Sequence, residues 1–480
     1  MEYKPTIGLE IHAELKTRTK MFCSCKNDMD EKRPNVNICP ICLGHPGTLP
    51  VINKEAVKHV LKVGLSVGGK MADFSEFDRK NYFYPDIPKG YQISQYKHPL
   101  VSGGELLGVK ITRIHLEEDT AKSSHVEDPE LSEGRDDNHA SPTDGYSLVD
   151  FNRAGVPLME LVTEPVMHSS VEVVKFGEEL RLLLQYLGVA EANMEKGEMR
   201  LEANISLSKN DKFGTKVEVK NLNSFRSAER AVEYEIKRQT KLLEEGEKVS
   251  QETRGWDEKK QTTFSQRSKE DSHDYRYFPD PDLPKLVLSE IKDLSGETLS
   301  KEINETPEEK RERFKKDYNI KDSDIDFYVS NLKLGAFFEK TALSVSEEKN
   351  FQLLSNYIVS DLTSLGEKAF GVNPESMASI IKMITSGELS SWGAKNVLQI
   401  LAHEGGDPYI IAEKGGFIQK NDEAELTLVV KNVVTQNQKV VNEYKSGKLS
   451  ALQFLVGQCM KATGGSANPS VLKDLILKII

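Results

Sequence analysis

No stretch of this 480-residue chain approaches the roughly 18 consecutive apolar residues of a membrane-spanning helix. Its first residues, MEYKPTIGLEIHAELKT, contain no apolar core of the kind a secretory signal needs. Membrane and export classes are poor fits, and the cytoplasm is the expected location. Cysteine is scarce, with five in the chain and four of them between positions 23 and 42, which does not read as a secreted disulfide framework. The pattern G-x-x-x-x-G-K-[ST] is absent, so any ATP site is not a P-loop. There is no G-x-S-x-G elbow and no glycine-serine-rich stretch of the amidase kind. Chemistry that used ammonia would have to receive it from another chain. No internal repeat is present.

What remains is a charge-rich globular composition, 29% charged and 38% hydrophobic, long enough for two to four domains. The net charge of -11 argues against a nucleic-acid binder taken whole. The distribution is uneven. From Lys431 to Ile480 there are seven lysines (431, 439, 445, 448, 461, 473, 478) and two acids, Glu443 and Asp474. A basic end on an acidic body is the asymmetry of a module that touches phosphates. On charge alone, an ordinary solvated lysine surface is the simpler reading.

The first third alternates in period two. In IGLEIHAEL, Ile7, Leu9, Ile11, Ala13 and Leu15 share one face, and Glu10, His12 and Glu14 share the other. RLEANISL repeats this, with Leu201, Ala203, Ile205 and Leu207 inward and Arg200, Glu202, Asn204 and Ser206 outward. TKVEVKN sets Lys216, Glu218 and Lys220 on one face. SVEVVKFGEELRLLLQYLG and SFRSAERAVEYEIKRQTKLLEEG carry helical spacing and end at glycine. The mixture is irregular, so the fold class is α+β. His125 to Gly145 is acidic and turn-rich, which predicts a mobile surface loop. DYRYFPDPDLP, with three prolines, predicts extended chain. Residues from about 290 to 405 read as helices, including TPEEKRERFKKDY and NFQLLSNYIVSDLTSLG. The turn cluster HEGGDP then opens a small helical tail with a seam at Val433, Val434, Asn437, Val440, Val441 and Tyr444. Its last helix starts at Asn468-Pro469, an N-cap followed by proline. Cys459 falls on an apolar helix face with Leu452, Leu455 and Val456, and reads as core.

Two thiol pairs, Cys23-x-Cys25 and Cys39-x2-Cys42, supply the four soft ligands of a closed, structural zinc site. Glu10, His12 and Glu14, about 6.6 Å apart in succession, form an unusual polar row that suits a divalent cation, although from this strand alone a solvent-facing polar side is the simpler reading. RIHLEED adds His115, Glu117, Glu118 and Asp119, and Glu202 and Glu218 project from further strands. If these strands share one sheet face, the carboxylates need a cation to offset their repulsion. Oxygen-rich ligation suggests Mg²⁺, and Mg²⁺ suggests phosphate chemistry, with Lys216, Lys220 and Arg200 as phosphate-holding cations.

The long segments IGLEIHAEL, FDRKNYFYPDIPKGYQISQY, RIHLEED, SLVDFNRAGVPLMELVTEP, GTKVEVKNLNSF, QETRGWD and DYRYFPDPDLP resemble the B subunit of the tRNA-dependent amidotransferase. FLVGQCMKATGGSANP extends the resemblance into the tail, so it covers nearly the whole chain. It implies a ligase that phosphorylates the side-chain carboxylate of Asp-tRNA(Asn) or Glu-tRNA(Gln) with ATP. Ammonia released from glutamine by an A subunit then displaces the phosphate, and a small C subunit completes a heterotrimer. The implied architecture is a cradle with a zinc knuckle (1–290), an all-α domain (291–405) and a helical tail (406–480) that binds the tRNA body. The implied Mg²⁺ and activation site maps onto Glu10, His12, Glu118 and Glu218, with Glu160 nearby. Strand parity instead sets Glu117 beside Arg113 and His115, and a bulge would reconcile the two. The family motif R-x-D-A-N has aspartate where this chain has Glu202.

Two other classes compete. A zinc-knuckle RNA-binding scaffold would avoid acidic strand faces. A Mg²⁺-dependent nuclease would cleave tRNA without ATP.

Overall fold

The alternation in the first strand, β1 (Lys4–Glu14), is realised in full: Ile7, Leu9, Ile11, Ala13 and Leu15 are all buried. The structure, a computed structural model, describes residues 3–127, 145–210, 212–268, 275–345, 347–419, 423–465 and 467–480. Most of the His125 to Gly145 loop lies outside the described residues. The chain divides into two compact units, Met1–Pro307 and Glu308–Ile480.

The first unit is built on one large sheet. Its further strands are β2 (Lys70–Met71), β3 (Val101–Ser102), β4 (Val109–Glu118), β5 (Pro157–Thr163), β6 (Met199–Ser208), β7 (Val217–Leu222), β8 (Glu252–Asp257) and β9 (Thr262–Ser268). They lie in the order β9-β8-β7-β6-β1-β5-β4-β3-β2. Neighbours along this path are antiparallel except β7 and β8, which are parallel. A parallel pair needs a crossover, and the helix Phe225–Glu244 supplies it. Three helices cover the apolar side: α1 (Lys54–Ser66), α2 (Ser170–Tyr186) and α3, the crossover helix. Val57, Val60 and Leu61 of α1, Phe176 and Leu180 of α2, and Ala228 and Val232 of α3 join the β1 and β6 apolar residues in one core. Gly177 lets α2 and α3 approach closely, since a Cβ there would stand 2.6 Å from the Phe225 ring. With that side closed by helices, the other side of the sheet is left to polar residues.

A small three-stranded sheet, Asp78–Asn81, Tyr91–Ser94 and Phe278–Pro279, joins segments two hundred residues apart. The proline-rich segment expected to be extended contributes its third strand.

Helices dominate the second unit's described secondary structure, with an isolated bridge between Leu389 and Ile418. Phe314, Tyr328 and Phe338 are fully buried at one of its centres, with the Tyr328 and Phe338 rings stacked at 4.6 Å. NFQLLSNYIVSDLTSLG begins as an α-helix at Phe351–Asn356 and widens to a π-helical turn at Tyr357–Leu362. In HEGGDP, Gly405 and Gly406 take φ of 69° and 113°, a reversal that glycine makes without Cβ strain. Asp407 then caps the next helix by accepting from Ile410 N–H at 3.0 Å. The tail consists of α4 (Glu423–Gln436), α5 (Gln438–Lys445), α6 (Ser450–Ala462) and α7 (Pro469–Ile479). The seam expected to be continuous from Val433 to Tyr444 breaks at Asn437, whose backbone leaves the helical region (φ -119°, ψ 39°). Asn468 caps α7 by accepting from Ser470 N–H, and Cys459 is fully buried against Leu455 and Leu472.

Candidate functional site

Residues directly opposed on adjacent strands point to the same side of a sheet. On the polar side, His115, Glu160, His12 and Arg200 lie in register across β4, β5, β1 and β6. Next to this row, Glu10 stands opposite Glu202 on β6. His12 Nε2 lies 3.4 Å from Glu160, 3.6 Å from Glu117 and 3.9 Å from Glu10. His115 Nε2 lies 3.4 Å from Glu160 and 4.0 Å from Glu117. Lys220 on β7 reaches Glu202 at 2.8 Å and Glu218 at 3.7 Å. The register between β6 and β7 shifts here, and Asn221 adopts φ of 64°. The regular pairing of Ala203 with Val219 sets Lys220 beside Glu202, with Glu218 on the same face, and the irregularity follows directly after it.

The electrostatics follow from crowding. Burial, with Glu160 and Glu202 adding to it, pushes the Glu10 carboxyl up to about 7. Burial opposes a charge on His12, but Glu160 and Glu117 outweigh it and raise the imidazole to about 9. Glu160 is also disfavoured by burial, yet His115 and His12 hold it well below its ordinary value. Lys220 is raised because Glu202 and Glu218 outweigh its burial. Beyond the row, Arg200 binds Asp119 at 2.7 Å, and Arg153 lies 3.7 Å from the same carboxylate. Against burial, these two guanidiniums hold Asp119 down at about 2.

The small sheet roofs this face. Ser94 Oγ donates to Glu117 at 3.0 Å, and Gln92 donates to the Glu118 carbonyl at 2.7 Å. Lys80 is raised above its ordinary value, because Glu117 and Tyr277 outweigh its burial. Its ammonium lies 5.0 Å from the Tyr275 ring centre. Sheet and roof enclose a cleft of about 530 Å³ lined by Glu10, Glu160, Glu218 and Lys220, with Lys80, Arg113, His115 and three tyrosines. A larger cavity of about 860 Å³ opens beside Glu14, Arg181 and Glu198, and of the polar row read from the sequence it holds only Glu14. The convergence of titratable groups, rather than size, singles out the smaller cleft.

Of the sequence-predicted residues, Glu10, His12, Glu160, Glu202, Glu218 and Lys220 come together. Glu118 does not. It points to the side of Ile114 and Leu116, where its carboxylate pairs with Lys89 and accepts from Ile93 N–H at 2.9 Å. Glu117 takes the place beside His12 and His115. The β4–β5 irregularity lies at Val162/Thr163, too far along to reverse this parity. Lys216 is exposed just before β7 and does not line the cleft. Arg200 is engaged by Asp119. Sequence reasoning did not assign Lys80, Tyr96, Tyr275 and Tyr277, although all four lie in the family-like segments.

The acidic groups suit a hard cation. Ligand atoms of Glu10, Glu202 and Glu218 lie within 4.8 Å of one another, as do those of Glu10, His12 and Glu160, and those of His115, Glu117 and Glu160. Three carboxylates against the one ammonium of Lys220 leave an excess of negative charge that a divalent ion would offset. The four sulfurs of Cys23, Cys25, Cys39 and Cys42 also lie within 4.8 Å of one another. A tetrahedral zinc with 2.3 Å bonds requires sulfurs about 3.8 Å apart, and Cys42 and Cys39 are at 3.9 Å. The Cys42 thiol is pushed down to about 5 by hydrogen bonding from Cys23, helped by Lys20, whose ammonium is 3.8 Å away. The set fits zinc in spacing; within it Cys42 is the thiol readiest to ionise, while hydrogen bonding with Cys42 raises Cys23 and burial raises Cys25.

Sequence comparison bears on this geometry. The GatB/GatE catalytic domain matches residues 5–292, and a GatB domain matches residues 336–480. The B subunit of an aspartyl/glutamyl-tRNA(Asn/Gln) amidotransferase from Thermotoga maritima is 44% identical over 496 aligned positions, covering 100% of this chain and 99% of its own. Proteins of the same name from Thermoanaerobacter pseudethanolicus and Persephonella marina are 42% and 41% identical, each matched over 99% or more of both chains. Among the described residues, no helix is long and apolar enough to cross a membrane.

Proposed function

The chain belongs to the B-subunit family of aspartyl/glutamyl-tRNA(Asn/Gln) amidotransferases, tRNA-dependent ligases, and from this premise we propose that its cleft uses ATP to activate a tRNA-bound carboxylate. The substrate is the side chain of misacylated Asp-tRNA(Asn), Glu-tRNA(Gln) or both. The observation that carries the reading is the meeting of Glu10, His12, Glu160, Glu202 and Glu218 with Lys220. These residues come from four strands of a chain whose sequence carries neither a G-x-S-x-G elbow nor a glycine-serine-rich amidase stretch.

A carboxylate resists ammonia because oxide is a hopeless leaving group. Attack of one carboxylate oxygen on the γ-phosphorus of ATP expels ADP and leaves an acyl phosphate. Ammonia then forms the C–N bond, and phosphate and a proton depart. Mg²⁺, when bound, offsets the repulsion between the carboxylate and the phosphates. Glu10, Glu202 and Glu218 would hold it, with His12 and Glu160 completing the set. Glutamate at 202, where the family motif has aspartate, reaches one methylene further. Of the three cations considered for phosphate, Lys220 is the one in the cleft. The Lys80 ammonium faces the same space and adds positive charge for the transferring group.

Ammonia comes from a partner amidase A subunit, and a small C subunit completes the heterotrimer in the cytoplasm. Cys23, Cys25, Cys39 and Cys42 hold a structural zinc. We place the working division at a catalytic cradle (1–290), a helical domain (291–405) and a tail (406–480) that grips the tRNA body. The separate apolar core of the tail, from Leu426 to Ile476, supports its treatment as a module.

The test uses the reconstituted three-subunit complex. Glu10→Gln or His12→Ala should abolish ATP- and tRNA-dependent amidation while glutamine hydrolysis by the partner persists. Full amidation in both variants would refute the assignment.

A further inference from the structure

The cleft has an aromatic edge that the activation chemistry does not use. Tyr96 and Tyr277 stack nearly parallel, with ring centres 4.3 Å apart and planes 7° from parallel. Tyr277 in turn meets Tyr275 edge-on at 6.0 Å. Tyr96 remains 57% exposed although one of its faces is covered by Tyr277. All three rings line the cleft that holds Glu10 and Glu160. Aromatic exposure concentrates here. Of the six strongly exposed aromatic side chains among the described residues of the first unit, four (Phe83, Tyr84, Tyr96 and Phe278) lie on the small sheet or its loops. The other two are Phe213 and Phe264. Scattered single exposures need no explanation, but Tyr96 is the one of these four that lines the cleft, and there it is stacked on a second ring.

The pair is held rigidly. Tyr96 N–H donates to Asp78 Oδ2 at 3.0 Å, and Asp78 is paired in the small sheet with Pro279, two residues from Tyr277. Arg79 clamps the same segment through Asp280 at 2.7 Å and Asp282 at 2.9 Å. Both rings therefore project from the ends of paired strands. Cations flank them: Lys80 lines the cleft with the tyrosines, as does Arg113. A rigid aromatic face beside fixed positive charge is the chemistry that binds a nucleobase with its attached phosphates.

We propose that the outer face of Tyr96 takes an adenine ring of a substrate, continuing the Tyr277–Tyr96 stack and setting the attached sugar and phosphate towards Lys80. This rests on the amidotransferase reading, in which two reactants carry adenine: ATP, and the terminal nucleotide of the aminoacyl-tRNA. The stacking chemistry is shared, so the test must tell the two sources apart.

Two fluorescent probes do so on the intact three-subunit complex. One is tRNA with 2-aminopurine in place of its terminal adenine. The other is the triphosphate of 2-aminopurine riboside in place of ATP. Stacking on tyrosine quenches the probe that occupies the site. The expected result is quenching of one probe by the wild-type complex, its loss in Tyr96→Ala, and its retention in Tyr96→Phe, which keeps the ring. The KM for the corresponding natural substrate should rise about 5- to 150-fold in Tyr96→Ala, the cost of one lost base–aromatic stack. Bound probes that are not quenched, or quenching that survives Tyr96→Ala, would overturn the inference while leaving amidation intact. A wild-type complex that quenches a probe yet never amidates misacylated tRNA would overturn the functional reading and leave this site standing.

Discussion

Glu117 and Glu118 are adjacent in sequence, yet they serve opposite sides of one sheet. Side chains alternate with a period of two, so without a bulge only one of them can face His12. Glu117 does, and Glu118 instead sits with Lys89 among Ile93, Gly155 and Cys42. The parity was legible in RIHLEED, and it disagrees with the assignment that the family resemblance implies. A substitution at each position separates the two. Glu117→Gln should raise the Mg²⁺ concentration for half-maximal amidation about 10- to 100-fold, the usual effect of removing a group that holds or orients a metal ligand. Glu118→Gln should leave that concentration nearly unchanged. Its cost falls on folding, up to about 3 kcal/mol, because Lys89 loses its partner in a buried place. Titrating Mg²⁺ against amidation rate, with a denaturation curve for each variant, reads both effects. A Mg²⁺ shift in Glu118→Gln alone would return the role to Glu118. Lys80 shows the opposite limit of legibility. No local pattern marks it, since its position follows from a strand pairing that joins Asp78–Asn81 to a segment two hundred residues later. A single sequence does not display that contact.

Elements were legible where periodicity was strong. The faces of β1 and β6 follow directly from alternation, and α2 and α3 follow from helical spacing. Breaks were not: Asn437 interrupts an apolar seam that runs on in sequence, and the π-helical turn at Tyr357–Leu362 has no local signature. The cysteine segment was legible as a convergence of four thiols, which the structure brings within 4.8 Å of one another, and its attachment to the rest can be tested. Asn53 caps α1 by accepting from Glu55 N–H and Ala56 N–H, and its amide donates to Thr19 O and Lys20 O in the segment that enters the cysteine cluster. Asn53→Ala should therefore cost about 1–2 kcal/mol, at the upper end for an N-cap, because it also frees the entry to the cluster. Chemical denaturation should show this in full. The metal itself should be present at close to one zinc per chain and be lost in the Cys39→Ser/Cys42→Ser double variant. That variant should lose more in thermal stability than in turnover by its folded fraction, since a closed site offers no open coordination position. Metal-free wild-type protein with four alkylatable thiols at 23, 25, 39 and 42 would defeat the zinc assignment.

At the scale of the whole molecule, under the proposed function, the holding of RNA falls unequally on an acidic body and a basic tail. The cleft concentrates carboxylates, which repel a phosphate backbone, so affinity for tRNA has to come from elsewhere. All seven lysines from Lys431 to Lys478 are exposed, and Lys448 is paired with Glu443 at 2.7 Å. The tail surrounds its own apolar core of Leu426, Val430, Leu455, Cys459, Leu472 and Ile476. The preceding helix Pro408–Lys414 packs on Ser391–Glu404, and Leu389 bridges to Ile418, so a truncation after Gln419 spares those contacts. Each lysine that neutralises a phosphate releases a counterion and adds just under about one to the slope of log affinity against log salt. Removing 420–480 should therefore flatten that slope by several such increments and raise the KM for aminoacyl-tRNA in the assembled complex. ATP turnover per bound tRNA should change much less, because every proposed Mg²⁺ ligand precedes residue 220. Measuring tRNA affinity at two salt concentrations for full-length and truncated complexes decides the matter. Parallel slopes would make the lysines an ordinary solvated surface and would assign the RNA body to the cradle.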